Sequence, residues 1–170
     1  MGAAGQTIDL ARFRLSSGEG ASLELPVAAE PLSYGGERYV AADGPAHARV
    51  DVARMPGGYS LRLRYEVDLE GACVRCLEDA RITVAVDGRE VDQPSGGEEL
   101  NSPYIDGEEL DLSAWARDAL ALALPQRILC RDDCRGLCVE CGVNLNEQSD
   151  HAHEPAPDPR WAKLSELKLE

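Results

Sequence analysis

The sequence predicts an α+β fold in which an antiparallel β-sheet is packed by one amphipathic helix and followed by a cysteine-rich loop and a short terminal helix. Three observations predict it. Apolar and polar residues alternate from Tyr59 to Glu70, and a period of two over six pairs is typical of a strand with one buried face. Apolar residues recur at helical spacing from Leu112 to Leu124. All six cysteines fall into three closely spaced pairs.

Length and charge limit the class of protein. A chain of 170 residues suits one domain with a small appendage. The net charge of −14 argues against a general electrostatic grip on phosphate backbones, so we expect no DNA binding and only local contact with any RNA. No stretch is apolar enough to span a bilayer, and the N-terminus lacks the apolar core of a secretion signal. We therefore expect a cytoplasmic protein without a membrane partner.

The first strands are short. The stretch `SLELPV` (Ser22–Val27) alternates, and `HARVDVARM` alternates better, with Ala48, Val50 and Val52 on one side. Glycine and proline residues around them predict loops and edge structure. The sheet would become barrel-like if this N-terminal part closed it.

A long hairpin is predicted next. The alternating stretch `YSLRLRYEVDLEG` begins at Tyr59, and `RITVAVDG` alternates again through Ile82, Val84 and Val86. Cys73 and Cys76 lie in the connection between these two strands.

An acidic stretch follows the hairpin. Residues 92–111 contain seven acidic and no basic residues, with two prolines and three glycines. Such composition predicts a solvated, mobile linker. An acidic docking segment for a basic partner is the alternative.

One helix is predicted after the linker. Asp111 or Ser113 can cap its start, and Pro125 ends it because the residue before a proline avoids the α region. We expect the apolar stripe to pack on the sheet, with Trp115 as a core residue. The stripe contains Leu112, Trp115, Ala116, Ala119, Leu120, Ala123 and Leu124.

We accordingly divide the chain into a β-rich domain, residues 1–125, and a cysteine-rich segment, residues 126–170. The short terminal helix begins in `DPRWAKLSEL`, where Asp158 is the predicted N-cap and Pro159 the first helical residue.

The cysteine spacings indicate metal binding. They are C-x2-C at Cys73/Cys76, C-x3-C at Cys130/Cys134 and C-x2-C at Cys138/Cys141. A C-x2-C turn brings two thiolates to one tetrahedral Zn²⁺. His151 and His153 follow as a further ligand pair, which makes eight candidate ligands and one or two structural zinc ions.

Two groupings of these ligands are open. We favour one ion bound by the first two cysteine pairs and a second bound by the last pair with the two histidines. The alternative is one ion bound by both C-x2-C pairs, Cys73, Cys76, Cys138 and Cys141.

Other uses of the cysteines are less favoured. A thioredoxin-type redox pair sits at a helix start after a buried strand, whereas Cys73 lies between two strands. Structural disulfides are rare in a reducing cytosol. The sequence has no P-loop, no H-E-x-x-H and no Ser–His–Asp pattern. Sulfur-rich ligation typifies closed structural sites rather than catalytic ones, so we expect no enzyme activity.

The motifs `CVRCLE`, `LALALP`, `LCRDDCRGLCVECGVNLNE` and `DPRWAKLSEL` together resemble the YceD family of large ribosomal RNA subunit accumulation proteins, over about Tyr59 to Leu167. The resemblance implies a non-enzymatic bacterial factor for 23S rRNA accumulation or processing and large-subunit biogenesis. Its partners would be the pre-ribosomal large subunit, rRNA or ribosomal proteins. Family members often have C-x-C where this chain has His151 and His153.

Speculative RNA contacts lie within and beside the cysteine pairs. Arg75, Arg131 and Arg135 could bind phosphates as a small guanidinium cluster, or merely offset nearby acidic residues and thiolates. Two other functions stay open, namely a zinc-ribbon adaptor for another protein assembly and, less favoured, a thiol redox sensor.

Overall fold

The computed structural model describes residues 5–153, which contain nine β-strands and one α-helix. The chain divides into two compact units, Met1–Cys134 and Arg135–Glu170, and all of these elements lie in the first. The strands are β1 Thr7–Asp9, β2 Gly20–Val27, β3 Leu32–Tyr34, β4 Glu37–Ala41, β5 Ala46–Met55, β6 Gly58–Ala72, β7 Asp79–Asp92, β8 Ile105–Asp106 and β9 Glu109–Asp111, and the helix α1 is Leu112–Ala123.

The long hairpin of β6 and β7 is the centre of the larger sheet. The two strands pair antiparallel from Tyr59 opposite Asp92 to Ala72 opposite Asp79. The other edge of β6 pairs with β5 near its start and with β4 near its end, and β2 and β3 flank those strands. As the alternation predicts, the inward side chains of β6 are buried. They are Tyr59, Leu61, Leu63, Tyr65, Val67 and Leu69.

The helix covers the inner side of this sheet. Asp111 is its N-cap, and the Asp111 side chain accepts a 2.9 Å hydrogen bond from the Ala114 N–H. The helix ends before Pro125, where Leu124 is extended at φ −60° and ψ 135°. The buried Tyr65 hydroxyl of β6 donates a 2.7 Å hydrogen bond to the Ala116 carbonyl, which fixes the helix against the hairpin. Trp115 is buried, as predicted.

The acidic stretch is more ordered than its composition predicts. It contains two 3-10 turns and then β8 and β9, which join β1 in a second, three-stranded antiparallel sheet. Leu110 is fully buried, and Asp92 is 5% exposed and accepts a 3.0 Å hydrogen bond from the Ser102 N–H. Pairing with the N-terminal strand β1 gives this stretch regular structure that its composition does not predict. The mobility of the linker stays a prediction.

The strands in residues 5–153 form two open antiparallel sheets, so the barrel-like closure is not found there. Sheets with one helix confirm the coarse α+β prediction. The predicted terminal helix after Asp158 lies outside the described residues. No helix in the described part of the chain is long and apolar enough to cross a membrane.

Candidate metal centres

The connection between β6 and β7 is a tight turn that carries Cys73 and Cys76. The Cys73 N–H donates to the Glu78 carbonyl at 2.8 Å, and the Leu77 N–H donates to the Cys73 carbonyl at 2.9 Å. Leu77 has the left-handed φ of +63° that this turn requires. Both cysteine side chains are buried, so the turn directs two thiols into the protein.

The chain after α1 brings two further cysteines to this turn. The Val74 N–H donates a 3.0 Å hydrogen bond to the carbonyl of the buried Ile128. Cys130 and Cys134 follow, and the four Sγ atoms lie within 4.8 Å of one another. We call Cys73, Cys76, Cys130 and Cys134 the first cluster.

The sulfur separations in the first cluster suit one tetrahedral ion. The Cys73 and Cys134 Sγ atoms are 3.8 Å apart, and those of Cys76 and Cys130 are 3.5 Å apart. Four sulfurs bound to one ion at about 2.3 Å would be about 3.8 Å apart, whereas a disulfide bond is about 2.0 Å long. The four thiols can therefore hold a metal ion and are not disulfide-bonded.

Backbone donors prepare one of these sulfurs for ligation. Burial raises the pKa of the Cys73 thiol, but the N–H groups of Cys76, Arg75 and Cys130 outweigh burial and lower the pKa to about 6. Burial raises the pKa of Cys76 to about 12. Four clustered thiols cannot all ionise without a cation, so a metal ion would supply the charge that holds them as thiolates.

A second turn of the same geometry occurs at Cys138 and Cys141. The Cys138 N–H donates to the Val143 carbonyl and the Gly142 N–H to the Cys138 carbonyl, both at 2.8 Å. Gly142 has φ +75°, at the position that corresponds to Leu77. Backbone N–H groups of Cys141 and Glu140 lower the pKa of Cys138 to about 6. The two C-x2-C stretches thus form equivalent turns, and in each turn backbone N–H groups donate to the sulfur of the first cysteine.

The second cluster consists of Cys138, Cys141, His151 and His153, whose candidate ligand atoms lie within 4.8 Å of one another. The Cys141 Sγ is 3.2 Å from the His151 Nε2 and 3.3 Å from the His153 Nε2. The His153 Nδ1 lies 3.3 Å from a Glu140 carboxylate oxygen. A carboxylate on the outer nitrogen is the usual companion of a metal-bound imidazole, so this arrangement can also hold an ion.

The left-handed residue of each turn gives a matched test. Leu77→Gly is expected to raise the free energy of unfolding by about 0.5–1 kcal/mol, because glycine adopts a positive φ without the penalty of a side chain. Leu77 is 61% exposed, so little burial is lost. Urea denaturation of the protein measures the change.

The reciprocal change is Gly142→Leu, which is expected to cost about 1–2 kcal/mol locally. A Cβ at Gly142 meets no atom within 4 Å, so the backbone conformation alone is tested. Faster amide hydrogen exchange around Cys141 would report it. A less stable Leu77→Gly variant would contradict the equivalence of the two turns.

The structure groups the eight candidate ligands as the sequence analysis favoured, with Cys138 and Cys141 beside the two histidines. The three arginines considered for RNA contact differ in their surroundings. The Arg131 Nε pairs with Asp133 at 3.3 Å, and the Arg135 Nη1 donates to the Ser149 carbonyl at 2.7 Å. Arg75 is exposed. Sequence reasoning missed Glu140, because no spacing rule relates it to His153.

Fold and clusters define an α+β protein with two sulfur-rich clusters that could hold metal ions. Residues 61–168 match the model of the family described as large ribosomal RNA subunit accumulation protein YceD. The chain belongs to this family.

Individual proteins are also similar to this chain. An uncharacterised protein of Mycobacterium tuberculosis is 33% identical over 171 residues, which cover 95% of this chain and 80% of the relative. A chloroplastic protein of Zea mays, named large ribosomal RNA subunit accumulation protein YCED homolog 1, is 34% identical over 88 residues, 52% of this chain and 26% of the relative. Its Arabidopsis thaliana namesake is 30% identical over 61 residues, 36% and 19% respectively. No solved structure matches.

Proposed function

We propose that this protein is a non-enzymatic, zinc-stabilised factor for 23S rRNA accumulation or processing and for large ribosomal subunit biogenesis in the bacterial cytoplasm. The observation that carries the proposal is the family match over residues 61–168, which includes all eight candidate ligands. The names of the chloroplastic relatives support the link to large-subunit ribosomal RNA.

Zinc is the metal that the donor sets support best. The first cluster offers four sulfurs, and the second offers two sulfurs and two imidazole nitrogens. Both sets are typical of closed structural zinc sites, in which every coordination position is filled by protein. We therefore propose two structural ions per chain, and the energy of binding them would contribute to folding.

The proposed partners are the pre-ribosomal large subunit, its rRNA or its ribosomal proteins. Of the three arginines considered for RNA contact, Arg75 is the best supported, because it is exposed and its guanidinium has no ion pair or hydrogen bond within residues 5–153. The bonds that Arg131 and Arg135 make to Asp133 and Ser149 favour a structural role for those two.

Depletion of the protein in its own bacterium tests the function. We expect large-subunit precursors and reduced or abnormal 23S rRNA, with 16S rRNA as the internal control, measured by sucrose-gradient profiles and RNA blots. A wild-type copy should restore the profile. Normal subunit profiles on depletion, together with captured partners that lack rRNA and ribosomal proteins, would favour an adaptor of another assembly instead.

A further inference from the structure

The outward face of the larger sheet brings four arginines together. Arg49 of β5 lies directly opposite Arg64 of β6, and Arg62 of β6 lies directly opposite Arg89 of β7. We call these four residues the arginine face. Like charges directly opposite each other destabilise a sheet, and Asp51 and Asp87, which lie opposite Arg62 and Arg64, relieve part of this repulsion.

Carboxylates offset only part of this charge. Asp51 accepts hydrogen bonds from the Arg49 Nε at 3.0 Å and from the Arg64 Nη2 at 2.5 Å. Asp87 accepts two from Arg62, at 2.7 and 2.6 Å. The two carboxylates are bonded to three of the four guanidinium groups, so Arg89 is left without a bonded carboxylate. Glu66, the next outward residue of β6, adds a negative charge to this face of a chain whose net charge is −14. Glu24, opposite Arg49 on β2, makes no ion pair within the described residues.

Several donors of the arginine face remain available. Arg89 is exposed, and its side chain has no ion pair or hydrogen bond among residues 5–153. The side chains of Arg49, Arg62 and Arg64 are 50%, 38% and 39% exposed. Such guanidinium groups can bind phosphate oxygens in pairs.

The far end of the same sheet face provides a contrast. Arg81 of β7 makes ion pairs with three carboxylates, those of Asp43, Asp68 and Glu70. Its charge is more than offset, and the surrounding region is acidic. An anionic partner would therefore find a guanidinium group without a bonded carboxylate at Arg89 rather than at Arg81.

We propose that the arginine face binds the phosphate backbone of RNA. The proposal rests on the proposed function, in which ribosomal RNA is the polyanion that the protein meets. Among the described residues, no Phe, Tyr or Trp side chain projects from this face of β5, β6 and β7, and His47 of β5 is its one aromatic ring. The face therefore has no row of aromatic rings on which successive bases could stack. The arginine face recognises the phosphate backbone and its shape rather than the base sequence, and the affinity falls strongly as the salt concentration rises.

Binding of labelled 23S rRNA transcripts to the full-length, zinc-loaded protein tests the proposal. Fluorescence anisotropy over a series of salt concentrations compares Arg89→Gln with the matched control Arg81→Gln, which removes the same charge from the same strand. We expect Arg89→Gln to weaken binding several-fold and to reduce the slope of log affinity against log salt by about 0.7–0.9. The control should bind like wild type.

Three outcomes would overturn the arginine face as an RNA site. The first is that the wild type binds no transcript, and the second is that the two variants lose the same affinity. The third is that polyglutamate binds as tightly as RNA and is weakened equally by Arg89→Gln, which would assign the face to an acidic protein. Arg89→Gln removes no bonded partner, so circular dichroism melting should confirm a folded variant. Normal subunit profiles on depletion would instead remove the proposed function, independently of these measurements.

Discussion

Cys76→Ser is expected to lower the zinc content from two ions per chain to one and the free energy of unfolding by more than about 3 kcal/mol. The first cluster joins the β6–β7 turn to chain segments 54 and 61 residues away. A metal link across such long loops removes much conformational freedom from the unfolded chain. Three of its four cysteines are buried, so without the ion the remaining thiolates would lose their counter-charge and take up protons. Elemental analysis and urea denaturation measure both effects.

Cys141→Ser is the matched control for this loss. It should also remove one ion, but Cys141 is exposed and its histidine partners are only 10 and 12 residues away. The stability of Met1–Cys134 should therefore change little, while amide exchange in residues 135–153 should accelerate. Unchanged zinc content and melting temperature in Cys76→Ser would show that Cys76 is not a ligand. A single ion in the wild type would contradict two sites.

Gly71→Ala is expected to destabilise the first unit by about 3 kcal/mol or more. A Cβ at Gly71 would lie 2.3 Å from the Tyr39 Cδ1 and 3.0 Å from the Arg38 carbonyl oxygen. Tyr39 is fully buried, and its hydroxyl donates a 2.8 Å hydrogen bond to the Ala72 carbonyl. The ring therefore cannot move without shifting the residue that precedes Cys73, so weaker zinc binding should accompany the loss of stability.

A double-mutant cycle isolates this clash. In a Tyr39→Leu background, Gly71→Ala should cost less than in the wild type, with a coupling of about 1–3 kcal/mol. Thermal or urea denaturation of the four proteins gives the coupling. If the two substitutions changed the free energy of unfolding additively, contact between Tyr39 and the hairpin end would not be the cause of the destabilisation by Gly71→Ala.

Sequence patterns predicted the long strand and the ends of the helix, because both depend on residues that are close together in the sequence. The alternation around Leu61 and Leu63 identified the long strand because a half-buried strand needs a period of two. The Asp111 cap and Pro125 fixed the ends of the helix because both act on adjacent backbone groups. The strands in the acidic stretch were not predicted because Leu110 is buried by pairing opposite Ile8, and a local window cannot detect a partner that is distant in sequence.

The sequence by itself determined that Cys73/Cys76 and Cys138/Cys141 are candidate ligand pairs, since a C-x2-C turn is closed by its own backbone hydrogen bonds. Only the tertiary structure decided which pairs share a cluster, because the path of the chain after α1 brings Cys130 and Cys134 to the hairpin. The same holds for the arginine face. Alternation predicts that Arg62 and Arg64 point outward, but strand register decides that each faces another arginine, and a slip of one residue would turn the opposing side chain to the other face.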